Sequence, residues 1–126
     1  MKRKTYGRLF VIVSVVLLIG LVASCGKEEP RFKILSSPAY TASTQDSVTN
    51  SLYDQYFSKM KRAVNEDNLW LQYRDDVLPL VKQEMNNKNP AYGLMCVVKA
   101  DKYRIRVRTV WTTKPNFQSY YQVWEN

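Results

Sequence analysis

Between Tyr103 and Trp111 the chain alternates. Tyr103, Ile105, Val107, Thr109 and Trp111 fall on one side, and Arg104, Arg106, Arg108 and Val110 on the other. Successive strand side chains point to opposite faces, so this period of two predicts a β-strand with one mostly apolar face and one cationic face. Its neighbours read the same way. Leu94 to Lys99 is a continuous apolar run, Ala100-Asp101-Lys102 makes a tight turn, and Phe117 to Trp124 is a strand rich in Tyr, Val, Gln and Trp. The intervening Thr112–Asn116, with Pro115, is a loop. Three sequential strands joined by short links predict an antiparallel meander.

Upstream the period changes to that of a helix. Val48, Leu52, Tyr56, Met60 and Val64 recur every fourth residue with Phe57 beside them, which predicts a helix over about 47–63 capped by Asp46 or Ser47. Leu69, Trp70 and Tyr73 make a further short segment. Asp75 and Asp76 then precede the stripe Val77, Leu78, Val81 and Met85. Pro79 is tolerated in a first turn, so the economical reading caps a new helix at Asp75 and ends it near Asn87, before Asn89-Pro90. Residues 25–46 read as a flexible tether broken by Pro30 and Pro38, within which Arg31–Leu35 alternates weakly as a short edge strand. The expected fold is α+β: a signal segment and tether, then two or three helices on one face of a three- or four-stranded antiparallel sheet. The domain proper is expected at 47–126. The order of helices followed by a meander loosely resembles cystatin and nuclear-transport-factor-like folds, a likeness that implies no function.

The N-terminus has its own logic. Lys2, Arg3, Lys4 and Arg8 form a basic head, and Leu9 to Val22 is an uncharged, mostly apolar run of 14 residues. That length suits the middle of a secretory signal, roughly 7–15 residues, and falls short of the ~20 needed to span a bilayer. The run ends in Val22-Ala23-Ser24-Cys25, which resembles the lipobox of bacterial lipoproteins. The resemblance implies that residues 1–24 are a signal peptide cut between Ser24 and Cys25. It also implies that the Cys25 sulfur carries a diacylglyceryl group and that the new amino group can take a further acyl chain such as palmitate. Two or three chains anchor a protein stably where one, at about 0.8 kcal/mol per buried CH₂, does so marginally. Gly26-Lys27-Glu28-Glu29 resembles the surface-export signal of lipoproteins from the Bacteroidota; a solvated charged tether is the plainer reading. The expected location is lipid-anchored on the cell membrane or outer membrane, facing periplasm or exterior.

Removing residues 1–24 leaves 102 residues, enough for one small domain. The removed segment holds four of the 19 basic residues and none of the 11 acids, so net charge falls from +8 to +4. A balance that ordinary gives no argument for nucleic acid. Cys96, inside an apolar run, reads as a small buried residue. The chain has no histidine, which removes the commonest general base, the commonest zinc ligand and every Ser-His or Cys-His dyad. Its glycines, at 7, 20, 26 and 93, are too scattered for a phosphate-cradling loop. The acid pairs Glu66-Asp67 and Asp75-Asp76 fall where helices are expected to start, so capping is favoured over hydrolytic or calcium-binding roles. No catalytic residue, metal or cofactor is expected.

The feature left over is the arginine stripe. Arg104, Arg106 and Arg108 stand about 7 Å apart on one face, which they share with either Gln118-Tyr120-Gln122-Trp124 or Phe117-Ser119-Tyr121-Val123. With the first set, the guanidiniums lie beside Tyr120 and Trp124, an arrangement suited to anionic or sugar ligands. The competing reading is a solvated sheet face protected against edge pairing. The expected function is a membrane-anchored, non-catalytic binding domain with an envelope protein partner, such as an accessory component of an envelope or conjugation assembly. The alternative is a module for anionic glycan or lipid headgroups acting through Arg104, Arg106 and Arg108.

Overall fold

The computed structural model describes residues 30–64 and 66–126; the segment 1–24 expected to be a signal peptide, and Cys25, lie outside the described residues. Arg31–Asn126 forms one compact unit. In chain order it contains β1 (Phe32–Ser36), β2 (Ala39–Tyr40), α1 (Gln45–Leu52) with a π-helical turn (Tyr53–Phe57), and β3 (Arg62–Ala63). Then follow α2 (Asp67–Lys88), β4 (Gly93–Ala100), β5 (Tyr103–Trp111) and β6 (Phe117–Glu125). The sheet is antiparallel and six-stranded, in the order β1-β4-β5-β6-β3, with β2 also pairing on β4.

This corrects the expected fold of helices on one face of a three- or four-stranded sheet. Among the described residues two helices accompany six strands, and they lie on opposite faces. Three of the strands come from segments that carry little periodicity. Phe32–Ser36, close to the short edge strand expected at Arg31–Leu35, and Ala39–Tyr40, expected as flexible tether, are both paired strands on β4. The first helical stretch ends at Phe57, and Arg62-Ala63 leaves it to pair with Glu125 and Trp124.

One face of the sheet packs on α2 through Trp70, Tyr73, Val77, Val81 and Met85, which meet Leu94, Cys96, Val98, Ile105, Val107 and Val123. These five helix residues lie on one stripe because their separations of three or four fit the 3.6-residue turn. The helix runs unbroken through Asp75 and Asp76, so neither caps a helix start. Pro79 sits exposed in its interior, where the missing N–H leaves the Asp75 carbonyl without its i+4 donor. Water satisfies a carbonyl on that side at little cost, which is why an internal proline is accepted. The helix stops at Asn89, whose φ of 43° is left-handed and whose N–H bonds to the Met85 carbonyl at 2.9 Å.

The other face packs on α1. Leu52 and Phe57, with Val48, Tyr56 and Met60 at the margin, cover Met95, Val97, Trp124 and Tyr40. The π turn adds a residue to the helical repeat, and the Phe57 ring comes to rest 4.1 Å from the Trp124 ring. Strand β4 is therefore buried on both sides, every residue but Lys99. Each fully buried Val, Leu or Met there contributes on the order of 2 kcal/mol of transfer free energy.

The start of β4 shows a backbone approach that only glycine permits. A Cβ on Gly93 would lie 2.0 Å from the Thr109 carbonyl oxygen. Beside it the Thr109 hydroxyl takes the place of ladder groups. It accepts from the Leu94 N–H at 3.0 Å and donates to the Leu94 carbonyl at 3.1 Å, while the Tyr40 hydroxyl donates to the Thr109 carbonyl at 2.7 Å. Gly93→Ala forces this junction apart and should cost about 3 kcal/mol, the upper end for overpacked cores. Urea unfolding measures it, and a midpoint within error of wild type would show that β4 and β5 separate without cost here.

Candidate functional site

Alternation within β5 places Arg104, Arg106, Arg108 and Val110 on the α1 side of the sheet, since Ile105, Val107 and Thr109 face α2. The β5–β6 register then decides which aromatic set joins them. Arg104 pairs with Trp124, Arg106 with Gln122, Arg108 with Tyr120 and Val110 with Gln118. Directly opposed residues share a face, so the set is Gln118-Tyr120-Gln122-Trp124.

The three arginines have different surroundings. Arg104 donates from Nη1 to the Tyr56 carbonyl at the end of the π turn, so it ties β5 to the helix. It also borders a cleft of about 390 Å³ lined by Asp54, Gln55, Ser58, Lys59 and Asn126. Arg106 donates from Nη2 to Gln122 Oε1 at 3.2 Å, its guanidinium carbon 5.8 Å from the Trp124 ring centroid. Arg108 stacks over Tyr120 with its guanidinium carbon 4.2 Å from the ring centroid. Its Nη1 reaches the Tyr40 hydroxyl at 3.4 Å. Burial and the neighbouring Arg108 charge together push the Arg106 guanidinium below its ordinary range.

Of the five residues expected to form a ligand face, three gather around a partly open surface: Arg106 and Arg108, both part-buried, and Tyr120, which is 46% exposed. Trp124 shares their face but is 8% exposed, with Phe57 packed against it. Its ring supports Arg106 from below. Gln122 and Tyr40 complete the site by holding the two guanidiniums. Gln122 belongs to a legible strand, whereas Tyr40 lies in the segment that reads as tether and reaches β5 from 69 positions away.

Several other cations have acid partners. Arg31 holds Asp101 with two bonds of 2.8 Å, Arg62 and Lys102 flank Glu125 at 3.4 and 3.3 Å, and Lys88 lies 3.6 Å from Glu84. Among the described residues, neither Arg106 nor Arg108 has a carboxylate within ion-pair distance. Two adjacent guanidiniums without a counter-charge are unusual on a face where one of them is half-buried.

The other chemistry-bearing groups are occupied structurally. Glu66-Asp67 does sit where α2 begins, where acids complement the helix dipole, and Asp67 accepts a hydrogen bond from the Tyr121 hydroxyl. Asp75 pairs loosely with Arg74 at 3.6 Å, beside a shallow 510 Å³ cleft that also involves Leu78, Pro79 and Phe117. Burial pushes the Cys96 thiol up to about 12, with Glu84 adding to the effect, so a thiolate is suppressed. Ser37, Glu84 and Lys88 form a cluster that sequence reasoning missed. Ser37 donates to Glu84 and lies 2.7 Å from Lys88 Nζ, but its residue is 5% exposed and the trio bolts the β1–β2 link to α2.

Comparison with protein-family models, curated proteins and solved structures finds no match to this chain.

Arg31 holds the Asp101 carboxyl down to about 2, below its ordinary 3.8. A pKa lowered on folding adds stability that is fully present above the unfolded value and drains away as pH falls through the folded one. Asp101→Asn keeps the left-handed turn, where φ is 52°. The variant's stability curve should run parallel to wild type above about pH 5 and lose the part of the decline that lies between about pH 4 and 2. Urea unfolding at stepped pH tests this, and curves parallel down to pH 2 would show that the pair is not felt.

Proposed function

We propose that this chain is an exported lipoprotein, anchored through lipid on Cys25, whose domain is a non-catalytic module that engages a protein of the cell envelope. An accessory place in an envelope or conjugation assembly suits a domain of this size. The observation that carries the binding reading is the pair Arg106 and Arg108, held by Gln122 and Tyr40 with no carboxylate in ion-pair reach among the described residues. Holding two like charges together costs free energy that an incoming acidic surface would return, and pre-set side chains lose little entropy on binding. The non-catalytic reading is supported by a chain without histidine and by a cysteine whose thiol is buried. The anchor reading rests on the Val22–Cys25 motif behind its basic and apolar segments.

A second reading is favoured by one contact, the stacking of Arg108 on Tyr120. A cation above an aromatic face, on a partly open surface, also suits an anionic glycan or a lipid headgroup.

Two measurements test the proposal. Labelled palmitate should enter the wild-type chain in cells and not Cys25→Ser; unlabelled wild type would remove the anchor. Crosslinking in cells should join the full chain to an envelope protein, and the double variant Arg106→Gln/Arg108→Gln should lose that product by at least about tenfold, the scale of losing a desolvated charge pair. Unchanged crosslinking would remove the arginine face from the proposal. Retention on acidic envelope polysaccharide, lost in the same variant while crosslinking persists, would instead favour the second reading.

A further inference from the structure

Strand β6 has two edges, and one of them is largely open. Strand β3 covers only Trp124 and Glu125, and pairing continues one step further, where the Val64 N–H bonds to the Val123 carbonyl at 2.6 Å. From Phe117 to Gln122 no strand lies beyond β6 among the described residues. The backbone direction along this stretch follows from its ends. Val123 and Glu125 give their carbonyls outward, to Val64 and Lys61. Antiparallel strands send alternate residues to alternate sides, so Tyr121, Ser119 and Phe117 also turn their N–H and C=O groups outward. On the inner side, Trp111 sends its N–H to Tyr92. That leaves Val110, Arg108 and Arg106 to bond with Gln118, Tyr120 and Gln122, consistent with the same alternation.

Sheet edges are ordinarily blunted by lysine, proline or an inward charge. The sequence Phe117-Gln118-Ser119-Tyr120-Tyr121-Gln122 has none of these. The cations stand one strand further in, on β5. Neighbouring strands lie about 4.8 Å apart, so a strand added to β6 would run about 10 Å from β5. An extended arginine covers most of that distance, and the Arg108 guanidinium already rests over Tyr120, a β6 residue.

We infer that the open edge of β6 takes an extended acidic segment of a protein partner, which adds as a strand on Phe117, Ser119 and Tyr121 and turns its carboxylates toward Arg106 and Arg108. The inference rests on the protein-partner reading above and deepens it by naming the edge and the chemistry of the segment. Main-chain bonds supply the register and alternate side chains supply selectivity, as in other additions to a sheet edge. A second copy of this chain is a poorer occupant. Pairing β6 with β6 brings together two faces whose β5 and β6 residues, Arg104, Arg106, Arg108, Val110, Gln118, Tyr120, Gln122 and Trp124, hold cations and no acid.

The test uses the full-length chain in detergent micelles and nine-residue peptides that alternate Glu with Val or Thr. Amide exchange at Ser119 and Tyr121 should slow by at least about tenfold on saturation, with Tyr120 and Gln122 unaffected because their amides already bond to β5. Methylating alternate backbone nitrogens of the peptide should abolish the effect without touching the protein. Ser119→Pro removes one outward donor and spares the β5 ladder, so it should weaken binding about tenfold while the unfolding midpoint stays near wild type. Arg106→Gln/Arg108→Gln should weaken binding comparably and remove its salt dependence. Binding indifferent to backbone methylation, or no slowing at Ser119 and Tyr121 with any peptide of the set, overturns the edge. Crosslinking in cells that is lost with the arginines yet survives Ser119→Pro also overturns the edge, and leaves the arginine face standing.

Discussion

Everything in this domain is built against β4, a strand that has no solvent face. Its residues alternate between two separate apolar clusters, Leu94, Cys96 and Val98 toward α2 and Met95 and Val97 toward α1. A strand enclosed in this way needs partners on both edges and covers on both faces. The chain supplies β1 and β2 on one edge, β5 on the other, and one helix for each face. The Gly93–Thr109 junction is where this demand is tightest, because the chain must enter β4 without a side chain between it and β5.

Placing one helix on each face leaves the sheet unequally covered. The 22-residue α2 protects its face broadly, while the shorter α1 and its π turn cover Tyr40, the Met95–Val97 stretch of β4 and the Trp124 end of β6, and meet β5 at Arg104. The remaining quadrant belongs to Arg106, Arg108, Tyr120 and their glutamine neighbours. Asp101, Glu125, Glu84 and Asp75 are engaged by other cations, and β5 and β6 place no acid on this quadrant.

How much of this was legible depends on whether the determining contacts are local. β5 was, because each residue of Tyr103–Trp111 meets a different environment from the next and the period of two survives in the sequence. The stripe on α2 was visible too, but its start was misplaced: Pro79 reads as a first-turn residue, whereas the fold tolerates it mid-helix on an exposed side. β1 was visible only as a weak alternation, since the bulge between Ile34 and Ser36 spoils its period. β2 and β3 are two residues each and exist only through partners more than fifty positions away, which no local pattern encodes. The arginine face itself was legible. Its aromatic neighbours were not, because both alternating sets of β6 contain large rings and only the register with β5 chooses between them. Nor could spacing show that Trp124 would lie beneath Phe57 or that Arg104 would be spent on a helix end.

The turn at Asp101-Lys102 gathers both ends of the domain. Arg31 closes on it by a two-point ion pair and by its carbonyl, which takes the Asp101 N–H, while the Asn126 N–H bonds to the Lys102 carbonyl. For the lipid-anchored chain proposed above, this has a mechanical meaning. Tension arriving through the residues before Arg31 pulls along β1, whose bonds to β4 lie across the strand and bear the load side by side rather than one after another. The Arg31–Asp101 clasp stands at the first point of loading. A pull on the leash is thus carried into the most deeply enclosed strand of the molecule, and the open quadrant is left out of the load path.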